Sequence, residues 1–204
     1  THIKSIDYPH SLGLFYGTFT DFLGYKADSD EWKVMALSSF SSKKNIYDKY
    51  INKLILKTKG GFELNLSYFD YYTFDRRKNF FSKKFIELFG QPRKANSKIL
   101  KKHYEIAGAL QRKFEEIASH LLKLTKKFGK NSGNIVLAGG AAMNCVFNGN
   151  IEKLKIYKKN YIPGYPDDLG VTIGAALLAN SLYSKNTRKI KEEEQIYFGP
   201  KFSN

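Results

Sequence analysis

Two short runs carry the residue types best suited to chemistry. The first is Leu137-Ala138-Gly139-Gly140-Ala141-Ala142-Met143-Asn144-Cys145, which reads as a strand ending in Gly-Gly and opening a helix. With no Cβ at the turn, a ligand can approach the backbone closely. The free N–H groups and the helix dipole then favour an anion such as phosphate. A tight turn that uses glycine for packing alone fits these residues equally well. Neither a Walker A loop nor a GxGxxG loop occurs in the chain. The second run is Tyr165-Pro166-Asp167-Asp168-Leu169-Gly170-Val171-Thr172-Ile173-Gly174-Ala175-Ala176. Its adjacent carboxylates precede a helix of small residues, where they would cap the helix or where one would ligate a hard or borderline metal.

Other candidates are weaker on local sequence. In Asp30-Glu31-Trp32-Lys33-Val34-Met35-Ala36-Leu37, Glu31 and Lys33 are two apart and do not share a helix face. Alone they read as helix surface. Cys145 is the sole cysteine, so no intrachain disulfide is possible. A thiol nucleophile needs a base, and the histidines lie far away in sequence; a small core residue is the commoner role for such a cysteine. His2, His10, His103 and His120 have no metal-like spacing.

The elements that must position these groups follow from periodicity. Helices are predicted over 10–23, over 31–40 after the cap-like run Asp28-Ser29-Asp30, and near 82–89, the last stopping at Gly90. Residues 50–57 and 62–69 flank Lys59-Gly60-Gly61 as a hairpin. Ile106, Leu110, Phe114, Ile117, Leu121, Leu124 and Phe128 form one stripe of a helix over 101–128 that Gly129 ends. A short buried strand follows at Ile135–Ala138, a second strand near Tyr161-Ile162, and a helix over 169–183. The order helix, strand, helix, strand, helix predicts an α/β fold with parallel strands and a ligand site at the strand ends.

Composition bounds the partners. The net charge of +15 raises nucleic acid as a partner. The basic residues, however, are 29 Lys and 5 Arg, dispersed along the chain. Arg is the better bidentate reader of phosphates and bases, so a solvated surface is the preferred reading and no nucleic-acid partner is expected. No apolar run reaches the roughly 20 residues that span a bilayer, and no secretory pattern opens the chain. A cytoplasmic protein without a membrane partner is expected.

The order of the motifs says more than any one of them. Tyr8-Pro9-His10-Ser11-Leu12-Gly13-Leu14-Phe15-Tyr16, Leu23-Gly24-Tyr25 and Asp30 to Leu37 together resemble the PHSLGLLY, LGF and DEgKvMgLA stretch of the O-carbamoyltransferase family, which carbamoylates nodulation factors and several antibiotics. Ile106-Ala107-Gly108-Ala109-Leu110-Gln111 resembles its iAaslQ helix, Leu137 to Asn148 its LaGGvalNcvaN turn, and Pro166 to Ala176 its aspartate-containing segment. Tyr197-Phe198-Gly199-Pro200-Lys201-Phe202-Ser203 resembles the family's yLGPefs segment.

The resemblance implies an actin-like nucleotide-binding fold (ASKHA, ribonuclease H-like), of which this chain is the C-terminal portion, a mixed sheet flanked by helices. Residues 1–185 would be the partial domain, and 186–204 a linker or tail toward a YrdC-like carbamoyl-adenylate synthase domain. It also implies that carbamoyl phosphate and ATP give carbamoyl-adenylate, whose carbamoyl group passes to a small-molecule hydroxyl acceptor. By position, Gly139, Gly140 and Asn144 match the nucleotide-contacting turn. Asp168 matches the ligand to Fe(II) or a similar divalent metal, and Glu31 and Lys33 fall in a motif facing the nucleotide cleft, as catalytic candidates. The family's N-terminal lobe, with its first hairpin and His-x-x-x-His pair, and its synthase-like domain are not found in these 204 residues. Asp167 also stands where the family has glycine. The isolated chain is therefore expected to be inactive. Two other functions fit parts of the sequence: a nucleotide-binding module of the actin, Hsp70 and sugar-kinase superfamily with another reaction, and a non-catalytic basic nucleic-acid-binding protein.

Overall fold

The computed structural model describes residues 2–73, 79–129, 133–183 and 200. The yLGPefs-like segment and the 186–204 tail, Pro200 apart, lie outside the described residues. The chain divides into two compact units. The first comprises Thr1–Ile135 and Asn144–Asn160, the second Val136–Met143 and Tyr161–Asn204.

In the first unit, helix α1 (Leu12–Phe22) starts at Ser11, whose hydroxyl accepts from the Leu14 N–H at 3.2 Å. Its apolar positions build an aromatic core with helix α4 (Lys83–Phe89). Phe19 meets Phe85 at 5.0 Å and Phe89 at 5.4 Å edge to face, and Phe22 meets Phe81 at 5.4 Å. Each such ring pair adds about 0.5–1.5 kcal/mol beyond the area it buries. As expected, α4 stops at Gly90, whose φ is +83°.

Helix α2 (Glu31–Ser38) buries Val34 and Leu37. Asp30 sits at its N-cap position without making the predicted side-chain cap; its carboxylate accepts from the Lys26 N–H and pairs with Lys33 at 2.9 Å. The predicted hairpin is real but shorter than expected, with β1 (Ile55–Thr58) antiparallel to β2 (Gly61–Leu64) and Ile55 opposite Leu64. The start of the expected first strand is instead helix α3 (Ile46–Ile51). The reason is a capping box: the Asn45 side chain accepts from the Tyr47 N–H while Asp48 accepts from the Asn45 N–H.

Helix α5 (Lys101–Phe128) matches its predicted span, and α2 and α3 pack against it. The approach is close at Gly108, where an added Cβ would lie 2.1 Å from the Ser41 hydroxyl. Ser41 and Ser42 stay there because Glu105, buried one turn earlier on α5, accepts from both hydroxyls and from the Asn45 amide. The Ser42 hydroxyl bond, first among these, holds the Glu105 carboxyl below its ordinary range.

Gly24 shows what the Leu-Gly-Tyr motif needs. Its φ is +74°, and a Cβ would fall 2.4 Å from the Arg93 carbonyl oxygen. Arg93 in turn donates from Nε to the Leu23 carbonyl at 2.6 Å, and its guanidinium lies over the Tyr25 ring.

Strands β3 (Asn134–Val136) and β4 (Lys159–Tyr161) form a second two-stranded sheet. Lys158 donates to Gly133 and Leu137 to Tyr161, so the partners rise together along both strands, as in a parallel pair. The predicted burial of this strand is not found; Val136 is 66% exposed. Two strands leave no inner layer to hide it. The helix after the Gly-Gly turn is also shorter than a strand-to-helix reading suggests. A 3-10 turn over Gly140–Met143 precedes α6 (Cys145–Asn148). Helix α7 (Leu169–Tyr183) spans its predicted residues. Helices and small sheets together make an α/β chain, as expected.

Two expectations follow. Gly24→Ala should cost about 2 kcal/mol or more, since strain and a backbone clash add, and the midpoint of urea unfolding will report it. His103 is buried, with Nδ1 accepting from the Leu100 N–H at 3.0 Å. Burial first, and then Lys102 and Arg93, push its pKa from 6.5 down to about 4. The folded state therefore favours the neutral ring. The stability it contributes is present above pH 6.5 and is lost as pH falls toward 4. Urea midpoints measured across that window should fall more steeply in the native chain than in His103→Gln.

Candidate functional site

Around Asn144, the first unit gathers side chains from three helices. Asn144 is the N-cap of α6, and its Oδ1 accepts from the Phe147 N–H at 2.9 Å. The same side chain pairs head to tail with Gln111 of α5: Gln111 Nε2 donates to Asn144 Oδ1 at 2.9 Å, and Asn144 Nδ2 donates to Gln111 Oε1 at 3.0 Å. Gln111 also donates to Glu115 Oε1 at 2.9 Å and accepts from the Tyr16 hydroxyl of α1 at 3.0 Å. Gln111 and Tyr16 are 3% and 4% exposed, so these bonds exchange in a medium where an unmade one is costly. Rings back the network: Tyr16 stands edge to face with Phe114 at 5.5 Å, and Phe114 with Phe147 at 6.0 Å.

Electrostatics mark the same place. Burial, then Glu31, Glu115 and Cys145, push the Tyr16 phenol well above the ordinary tyrosine range. The phenol accordingly keeps its proton for the bond to Gln111, and Glu31 and Glu115 are its acidic neighbours. The Glu31 Oε1 accepts from the Asp28 N–H at 2.8 Å and would lie 3.6 Å from a Cβ at Gly17. It therefore faces α1. Lys33 turns elsewhere, paired with Asp30 and lying 5.3 Å and 5.8 Å from the ring centroids of Trp32 and Tyr25. Glu31 acts on Tyr16 electrostatically and Asn144 bonds its partner Gln111, whereas Lys33 is engaged with Asp30.

Cys145 is exposed, contrary to its expected place in the core, because it stands on the first turn of the four-residue α6 with its Sγ 3.7 Å from Met35 Sδ. Three of the four histidines are bonded elsewhere: His10 Nδ1 accepts from the Leu64 N–H, His103 Nδ1 accepts from the Leu100 N–H, and His120 bonds the Thr58 carbonyl.

In the second unit, Gly139 has φ +96°, a conformation that suits glycine. Nothing lies within 4 Å of where a Cβ would stand on Gly139 or Gly140. The Gly139 N–H donates to the Pro166 carbonyl at 2.5 Å, which sets the Gly-Gly turn beside the loop carrying Asp168. The Asp168 carbonyl accepts from the Val171 N–H at the start of α7. Asp168 itself is exposed, and an exposed carboxylate suits a divalent metal as one hard oxygen ligand. Among the described residues no group of three or more His, Cys, Asp or Glu is gathered for a metal.

Sequence reasoning missed Glu115 and quoted Tyr16 and Gln111 only within longer motifs, with no role assigned to either. The readable signal was a polar residue, Gln111, beside Leu110 on the apolar stripe, with Glu115 one turn on.

Comparison with known proteins places these residues in a family setting. Residues 1–177 match the family model described as Carbamoyltransferase N-terminus. An uncharacterized protein of Synechocystis sp. is 37% identical over 205 residues, covering 98% of this chain and 32% of that protein. Nodulation protein NolO of Bradyrhizobium diazoefficiens is 26% identical over 195 residues, covering 96% of this chain and 33% of the relative. Nodulation protein NolNO of Sinorhizobium fredii is 27% identical over 190 residues, covering 93% and 26%. The chain thus spans a third or less of the length of these relatives.

Tyr16→Phe removes one bond to Gln111 and should cost about 1–2 kcal/mol, read as a lowered urea midpoint without loss of helical signal.

Proposed function

The chain belongs to the carbamoyltransferase N-terminal family, and from that premise we propose that it is part of an ATP-dependent O-carbamoyltransferase, carrying a portion of its actin-like nucleotide-binding domain. In this reading carbamoyl phosphate and ATP are converted to carbamoyl-adenylate by a different domain. The oxygen of a small-molecule hydroxyl then attacks the carbamoyl carbon. A new C–O bond forms, the bond from that carbon to the phosphate oxygen of AMP breaks, and the hydroxyl proton passes to a base. The cytoplasm supplies both ATP and carbamoyl phosphate.

The observation that carries the proposal is the hydrogen bond from Gly139 to Pro166, which sets an open Gly-Gly turn against the Asp168 loop within one unit. With the Gly139 N–H held by Pro166, Gly140 would receive a nucleotide phosphate on its backbone N–H, and neither glycine would put a side chain in the way. Asn144 would offer a side-chain donor. Glu31, a carboxylate beside the polar wall, would take the acceptor proton, and Lys33 would steady phosphate charge once released from Asp30. Asp168 would contribute one oxygen to a divalent metal such as Fe(II), which when bound supplies Lewis-acid polarisation. The remaining ligands would come from outside the described residues. The basic residues are spread as Lys over the surface, so nucleic acid is not the partner we propose. Among the described residues, no helix is long and apolar enough to cross a membrane.

The reading is tested with calorimetry and metal analysis. The chain should bind ATP, and Gly140→Val should weaken that binding at least tenfold. Asp168→Ala should lower bound Fe(II) while leaving the circular dichroism spectrum unchanged. Carbamoyl phosphate, ATP and an acceptor alcohol should give no carbamoylated product with this chain alone. A native chain indifferent to ATP would remove the nucleotide reading.

A further inference from the structure

We infer that Gln111 is a positioning residue, held in one orientation by Glu115, which aims a single side-chain proton of Asn144 at the bound ligand. The argument is a count of hydrogen-bonding positions. A primary amide has two N–H protons and two oxygen lone pairs. Gln111 uses all four: its protons go to Glu115 Oε1 and Asn144 Oδ1, and its lone pairs receive the Tyr16 hydroxyl and Asn144 Nδ2. Asn144 uses three, two at Oδ1 with Gln111 and the Phe147 N–H, and one Nδ2 proton to Gln111. Its second Nδ2 proton is the one position without a partner among the described residues. Asn144 is only 9% exposed, so solvent satisfies that proton poorly and a ligand acceptor would satisfy it well.

The orientation of the whole set has one source. An ionised carboxylate can only accept, so Glu115 must face Gln111 Nε2. If the Gln111 amide were reversed, its oxygen would face the Glu115 oxygen and its nitrogen would face the Tyr16 hydroxyl. With Gln111 fixed, Asn144 must present Oδ1 to Gln111 Nε2 and to Phe147, and the spare donor is fixed as well. Tyr16 closes the set from α1. Fixing the donor before the ligand arrives removes an ordering cost from binding.

The inference rests on the proposed function only in naming ATP as the ligand, and its test separates the two. The chain, labelled with nitrogen-15, is compared with Glu115→Gln and Gln111→Glu by side-chain amide NMR and by calorimetry with ATP. The native chain should show one slowly exchanging proton on the Asn144 amide, the one given to Gln111. Glu115→Gln leaves two amides face to face with no carboxylate to orient them. It should shift or broaden the Asn144 amide signals and raise the ATP Kd about tenfold, with little change in the thermal midpoint. Gln111→Glu, which cannot donate to Asn144 Oδ1, should do the same or more. Unchanged Asn144 amide signals in both variants would overturn the inference, as would perturbed signals with an unchanged ATP Kd. If the native chain binds no ATP, the nucleotide reading fails by itself. The amide signals then decide the positioning role: perturbation in both variants sustains it, and invariance rejects it.

Discussion

Helix α5 must bury large apolar side chains together with polar ones, and much of the first unit is arranged to satisfy two of these, Glu105 and Gln111. Ile106, Leu110, Phe114 and Ile117 are all 2% exposed or less. At roughly 1.5–3 kcal/mol for each such side chain, they alone would hold the helix down. Glu105 and Gln111 share that burial and would each cost several kcal/mol if left unpaired. The loop of Ser41, Ser42 and Asn45 is folded over Glu105, and Tyr16 and Asn144 over Gln111. Gly108 lies between these two polar sites, where only a hydrogen atom leaves room for Ser41.

Charge plays a smaller structural part than the net +15 suggests. Arg112 grips Asp48 through two nitrogens at 2.9 and 3.0 Å. Burial works against the Asp48 carboxylate, but the Arg112 bonds outweigh it and hold its pKa down. Lys57 and Lys113 both reach Glu116, which is 39% exposed along its side chain. Exposed pairs of that kind contribute about 0–1 kcal/mol. What the pairs do is local: Asp48 caps α3 and is held against α5 by the same guanidinium.

How much of this was legible depended on how local the cause was. The stripe of α5, the glycine stop of α4 and the span of α7 are written in nearest-neighbour chemistry, and the structure has them where periodicity puts them. The expected strand over 50–57 begins too early because Tyr50 and Ile51 suit both states, and the capping box at Asn45 settles them as the end of α3. Asp30 looked like a cap but is drawn away by Lys33. For the candidate site, the Gly-Gly turn and its neighbouring aspartate were visible as motifs, whereas the polar wall was not. Tyr16, Gln111 and Asn144 stand 95 and 33 residues apart, and separations of that kind leave no mark in a local pattern.

The site residues divide into two physical kinds, and that division bears on what each can contribute. Asn144 and its partners are buried and bonded before any ligand arrives, so their geometry is already fixed. Gly139, Gly140 and Asp168 lie on exposed turns, tied together by one backbone bond between Gly139 and Pro166. An exposed loop that must be ordered around a ligand spends part of its interaction energy on that ordering, whereas a prebuilt wall does not. The wall around Gln111 is therefore suited to orientation, which demands fixed angles. In the proposed transfer, the open glycines and Asp168 would take phosphate and metal, where charge matters more than angle. Glu31 stands between the two kinds: it is half-buried, with its carboxylate held by the Asp28 N–H, and the base role proposed for it would need that constraint.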